Sequence, residues 1–75
     1  MTTAHHPAQI DLSVNGEPRS VPGGATLADV VAALSTAPSG VAAAVNEAVV
    51  PRSAWGATAL AADDRIEILT AVQGG

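Results

Sequence analysis

The sequence predicts an α+β fold, a mixed sheet of about four to five strands packed on one main helix. Apolar residues alternate near the start (Ile10, Leu12, Val14) and again near the end (Ile66, Ile68), the period of strands with one buried face. Between them only Leu27, Val30, Val31 and Leu34 follow the i, i+3, i+4, i+7 spacing of a helix face. An order of hairpin, helix, two short strands and last strand lets the first and last strands lie side by side at the sheet centre.

Each element has a local cause. Asp11 and Ser13 interleave with the first apolar set, and Asn15-Gly16 then gives a hairpin signal, because both residue types accept positive φ. Glu17 to Val21 returns as a second strand, with Pro18 suited to an edge because it lacks an N–H. Pro22-Gly23-Gly24 breaks that strand. Thr26 caps the helix, Asp29 favours its first turn, Ala28, Ala32 and Ala33 supply propensity, and Pro38-Ser39-Gly40 stops it. Val41, Ala43 and Val45 alternate as a third strand, although the alanines also fit a helix. Asn46-Glu47 reads as a turn, Val49-Val50 as a short fourth strand closed by Pro51, and Arg52 to Trp55 as one helical turn. Thr58 to Ala62 is irregular with Leu60 as its core anchor, and Asp63-Asp64 turns into a last strand over Arg65 to Ala71. There Ile66 and Ile68 share one face, and Arg65, Glu67 and Leu69 the other.

The chain of 75 residues allows one domain, with residues 1–8 as a flexible start, 9–71 as the folded body and 72–75 as a flexible end. Such a body buries only about 60–65% of its unfolded surface and leaves little room for a substrate pocket of its own. The absence of Cys excludes disulfides and a thiol nucleophile on this chain. A formal charge of −4 disfavours nucleic acid and anionic membranes and suits a partner with a basic rim. No apolar run approaches the roughly 18 residues of a membrane span, and Met1 to Ala8 lacks a signal-peptide core, so the expected location is the cytoplasm. Trp55 is the sole aromatic residue, which leaves Ile, Leu and Val to fill the core.

The sequence ends Val72-Gln73-Gly74-Gly75. Without Cβ atoms, Gly74 and Gly75 form a slim tail that can thread a narrow cleft in another protein. Its carboxylate is a poor acyl electrophile and needs activation, most simply as a mixed anhydride with AMP from ATP. A sulfur nucleophile displacing AMP then leaves a thiocarboxylate. Two terminal glycines arise by chance in roughly one chain in 200, so the pair gains weight from following a strand on a small domain.

Other candidates have plainer readings. His5-His6 is a solvated stretch, because adjacent residues without a third ligand make a poor metal site. Arg52 either meets a partner carboxylate or is solvated beside a Trp55 that closes the end of the sheet, and the second reading is preferred. Leu69 is either an apolar anchor for an activating enzyme or an ordinary exposed leucine. Asp63-Asp64 reads as solvent-facing rather than cation-binding, and the serines have no His base nearby to make a hydrolase triad.

The segments Val45-Asn46, Val50-Pro51-Arg52-Ser53-x-Trp55, Asp64-Arg65-Ile66-Glu67-Ile68 and Val72-Gln73-Gly74-Gly75 together resemble the ThiS family, the sulfur carriers of thiamin biosynthesis. The resemblance spans about residues 9–75 and includes the Asn15-Gly16 hairpin and the Thr26-led helix. It implies a β-grasp, ubiquitin-like fold and a non-enzymatic role. By the same resemblance, a ThiF-type, E1-like adenylyltransferase uses ATP to activate Gly75, which becomes a thiocarboxylate and gives its sulfur to thiazole synthase (ThiG). Val72, Gln73 and Gly74 would form the docking tail, Arg52 and Leu69 a possible partner surface, and no cofactor or metal would be bound. The family's usual glycine before the aspartate of the last turn is Asp63 here, which bears on turn type alone. The alternatives are the small subunit of molybdopterin synthase, which matches less well around Val50-Pro51-Arg52 and Trp55, a ubiquitin-like modifier, and a plain β-grasp interaction module.

Overall fold

The computed structural model describes residues 8–35 and 40–70. Its elements are β1 (Gln9–Val14), β2 (Glu17–Pro22), α1 (Leu27–Leu34), β3 (Val41–Val45), β4 (Ala48–Val50), a 3-10 helix (Arg52–Ala57) and β5 (Arg65–Thr70). His5-His6, Pro38-Ser39, Ala71 and the tail residues Val72, Gln73, Gly74 and Gly75 lie outside the described residues.

The five strands form one mixed sheet in the order β2-β1-β5-β3-β4. The first and last strands lie side by side at the centre as expected; they run parallel, and the pairing is short, Ser13 with Arg65 and Val14 with Ile66. The other contacts are antiparallel: β1 with β2, β3 with β4, and β3 with β5. Asn15 and Gly16 take φ values of 52° and 85°, the pair of left-handed residues that closes a two-residue hairpin. Val41–Val45 is a strand and not a helix. Ala43 is buried between Ile68 and Val50, so cross-strand packing overrides the helix propensity of three alanines.

One face of the sheet carries Ile10, Leu12, Val14, Ala43, Ile66 and Ile68, which pack on Leu27, Val30 and Val31 of α1. Trp55 and Leu60 complete the same core, and Leu27 has no exposed surface. The cap of α1 is reciprocal: the Asp29 N–H donates to Thr26 Oγ1 (3.3 Å), and the Thr26 N–H donates to Asp29 Oδ2 (3.0 Å).

Three expectations need adjustment. The helix ends at Leu34, ahead of the Pro38-Ser39-Gly40 stop. Ser35 is already extended, with its N–H donating to the Val31 carbonyl. Leu34, the last residue of the apolar stripe, is correspondingly exposed. The turn begun at Arg52 runs to Ala57 rather than Trp55. Asp64 is not a solvent-facing bystander: Oδ2 accepts from the Ala61 N–H (2.8 Å) and Oδ1 from Asn46 Nδ2 (3.0 Å). Asp63 holds φ at 71°, so an aspartate here takes the left-handed conformation expected of glycine.

Candidate functional site

The outer face of the sheet is the first candidate. In register, Ala42 stands opposite Leu69, and Ala44 lies between Glu67 and Val49. The two small residues of β3 leave a trough of about 280 Å³ between the larger side chains of β4 and β5. Leu69 is 69% exposed and Val49 76%. Glu47 and Glu67 line the same trough, so an apolar floor carries negative charge. Such a surface fits a partner with an apolar projection flanked by cations.

The sequence singled out Leu69 but not Val49, Glu47 or Glu67. Val49-Val50 hides its alternation because the two residues are alike. Only pairing Val50 with the buried Ala43 turns Val49 outward. Glu47 sits at φ 74° in the turn Asn46-Glu47, whose other residue has φ 51°. This is the same two-residue turn as Asn15-Gly16, with glutamate where glycine is favoured. Its carboxylate reaches Arg65 at 3.7 Å across exposed side chains, a contact worth at most about 1 kcal/mol.

Arg52 does not share the surface of Leu69. It lies over the Trp55 ring, with Cζ 5.5 Å from the centroid, and borders a hollow with Ala28, Val31 and Ala32 of α1. Trp55 is buried, and its Nε1–H donates to the Val50 carbonyl at 2.9 Å, as expected of a packing tryptophan. Both residues named as partner surface are thus exposed, but on opposite sides of the sheet.

Two asparagines fasten β5, one near each end. Asn15 bonds it three times: its N–H donates to the Ile66 carbonyl (2.9 Å), Nδ2 donates to the Ile68 carbonyl (3.2 Å), and Oδ1 accepts from the Ile68 N–H (2.9 Å). Asn46 grips the other end with two bonds to β5 and one to the residue before it. Its N–H donates to the Arg65 carbonyl (2.7 Å), Oδ1 accepts from the Arg65 N–H (2.9 Å), and Nδ2 donates to Asp64. The sequence identified both as turn residues, Asn15 through its tolerance of positive φ, a local signal that says nothing about these long-range bonds.

Chemically, the described residues offer surfaces and a strand that leads to the tail. No side chain among them is both polar and buried, and no group of three or more His, Cys, Asp or Glu among them could hold a metal ion. None of the described helices is long and apolar enough to cross a membrane. Chain geometry limits the reach of residues 71–75 beyond Thr70 to about 18 Å.

Comparison with known proteins places this geometry. The model of the ThiS family matches residues 12–75. The thiazole synthase of Magnetococcus marinus is 41% identical over 64 residues, which cover 85% of this chain and 20% of that protein. The chain thus spans about a fifth of that relative's length. The crystal structure of the thiamine biosynthesis protein (ThiS) from Geobacter metallireducens superposes with a TM-score of 0.72 at 30% identity, covering 88% of this chain and 100% of the other. An NMR solution structure of a thiamine biosynthesis protein from the same organism gives a TM-score of 0.72 at 32% identity, covering 88% of each chain.

Proposed function

The chain belongs to the ThiS family, and on that premise we propose that it is a sulfur carrier of thiamin biosynthesis, a protein substrate rather than an enzyme. The observation that carries the reading is the family match itself, which runs from residue 12 through Gly75 and so takes in β5 and the Gly-Gly pair.

In this reading a ThiF-type, E1-like adenylyltransferase docks the trough around Leu69 and Val49 and draws Val72, Gln73 and Gly74 into a narrow channel. A carboxylate oxygen of Gly75 attacks the α-phosphorus of ATP, and pyrophosphate leaves. A sulfur nucleophile at the oxidation level of hydrosulfide then adds to the carbonyl carbon, and AMP leaves, giving the thiocarboxylate. Thiazole synthase takes the sulfur, and an oxygen in its place restores the carboxylate. The similarity to a protein named thiazole synthase supports that pairing. ATP is bound and consumed by the activating enzyme, and the cytoplasm is the compartment assigned to the cycle.

Intact mass spectrometry tests this. After incubation with ATP, a sulfur donor and the activating enzyme, the chain should gain the mass of one oxygen exchanged for sulfur, localised to Gly75. The charged carrier should then support thiazole formation with thiazole synthase. No exchange at Gly75, or product only with the large subunit of molybdopterin synthase, would overturn the assignment.

A further inference from the structure

We propose that Asn15 is a positioning residue that fixes the end of β5 and thereby aims the tail. The proposal rests on the function argued above and adds a residue that touches neither ATP nor sulfur.

The argument begins with the shortness of the central parallel pair. β1 pairs with β5 only at Ser13 and Val14, after which its chain turns away into the hairpin. Past Ile66 the β1 side of β5 has no neighbouring strand in the sheet. The Asn15 side chain fills that gap. A primary carboxamide has one acceptor and one donor group, like a peptide unit, and here both engage the N–H and C=O of Ile68. The side chain therefore adds one more rung to the ladder.

Backbone groups alternate sides along a strand. The N–H and C=O of Thr70 thus face the same way as those of Ile68, toward a hollow bordered by Val14, Asn15, Glu17, Arg19 and Leu34, and among the described residues no strand pairs with β5 there. Asn15 is the last tie on that side before residue 71. On the other side, pairing with β3 reaches Thr70 through Val41. Removing the Asn15 tie leaves the end of β5 held from one side only. Its last residues then sample more directions, and the tail must be ordered again each time it enters a channel.

Asn46 provides an internal control. It too sits at positive φ, but it grips the start of β5, with two bonds to the backbone of Arg65 and one to the Asp64 side chain just before it. Asn15→Gly and Asn46→Gly each keep the left-handed turn and remove the carboxamide.

The experiment compares both variants with the unaltered chain in two assays, at a temperature where circular dichroism shows them folded. In 15N relaxation, Asn15→Gly should lower the order parameters of Leu69 and Thr70 while leaving Arg65 to Glu67 unchanged. In adenylation by the activating enzyme, Asn15→Gly should raise KM about five- to tenfold with kcat nearly unchanged, the size expected for about one more backbone residue to order on binding. Asn46→Gly should leave KM within about twofold. If Asn15→Gly does not fold, Asn15→Asp replaces it, keeping the acceptor for the Ile68 N–H and losing the donor to the carbonyl, with the same direction of change expected.

An equal rise in KM for both asparagine variants would reduce Asn15 to general structural support and overturn the proposal. So would unchanged order at Leu69 and Thr70. If even the unaltered chain is not adenylated, the sulfur-carrier reading fails, and the relaxation measurement still decides whether Asn15 holds the strand end.

Discussion

Glu47 shows how a single residue joins strain to function. A side chain other than glycine at left-handed φ costs about 1 kcal/mol or more, and the exposed ion pair with Arg65 recovers little of it. Glu47→Gly should therefore stabilise the domain by about 0.5–1 kcal/mol after the entropy of glycine is counted, raising Tm by about 3–6 °C. The same change removes one of the two carboxylates of the outer trough, so affinity for a cationic partner surface should fall, more steeply at low salt. A lower Tm would show that the ion pair outweighs the backbone strain. Leu69→Ala separates the two effects differently. At an exposed site it should move stability by less than about 0.5 kcal/mol, while raising KM in adenylation about fivefold or more if Leu69 anchors the partner. An unchanged KM would return Leu69 to an ordinary exposed leucine.

At the scale of elements, α1 is short at eight residues, below the length at which an isolated helix persists in water. Its cap and its packed face must therefore hold it. Thr26→Ala removes the acceptor for the Asp29 N–H and should cost about 1 kcal/mol, within the range of about 0.5–2 for lost N-caps. Urea titration reads this as a lower midpoint with an unchanged slope. A null result would mean that packing of Leu27, Val30 and Val31 alone sets the start of the helix. β5 depends on its neighbours in another way. It is the central strand, paired in parallel with β1 and antiparallel with β3, so both the core face and the outer trough follow its register. A one-residue slip would exchange Ile66 and Ile68 for Glu67 and Leu69.

For the whole molecule, folding and chemistry should be separable. The core has one tryptophan and no Phe or Tyr, so each aliphatic contact carries a large share of a stability that small domains keep to about a few kcal/mol. Leu27 is wholly buried, and Leu27→Ala should cost about 2–5 kcal/mol, enough to leave much of the protein unfolded by circular dichroism at 37 °C. Deleting Gly74 and Gly75 should do the reverse: Tm unchanged within error, and adenylation abolished. Adenylation that survives the deletion would remove the basis for assigning the chemistry to Gly75.

What local physics controls was legible in the order of residues. Alternation at Ile10-Leu12-Val14 and Ile66-Ile68 placed the central strands, Asn15-Gly16 the hairpin, and Thr26 with Asp29 the start of the helix. These follow from φ preference, hydrogen bonding within a turn, and the match between hydrophobic period and burial. It also carried the ThiS resemblance, through short motifs read in order. Tertiary structure alone decided the rest. Whether the alanines of β3 made a strand depended on the partners Ile68 and Val50, more than 20 residues away in one case and adjacent through a turn in the other. The outer trough exists because sheet order sets two alanines between Val49 and Leu69. The grip of Asn15 on Ile68 joins residues 53 positions apart. No local propensity encodes a contact across that distance, since the bond forms only after the whole sheet has brought the two together.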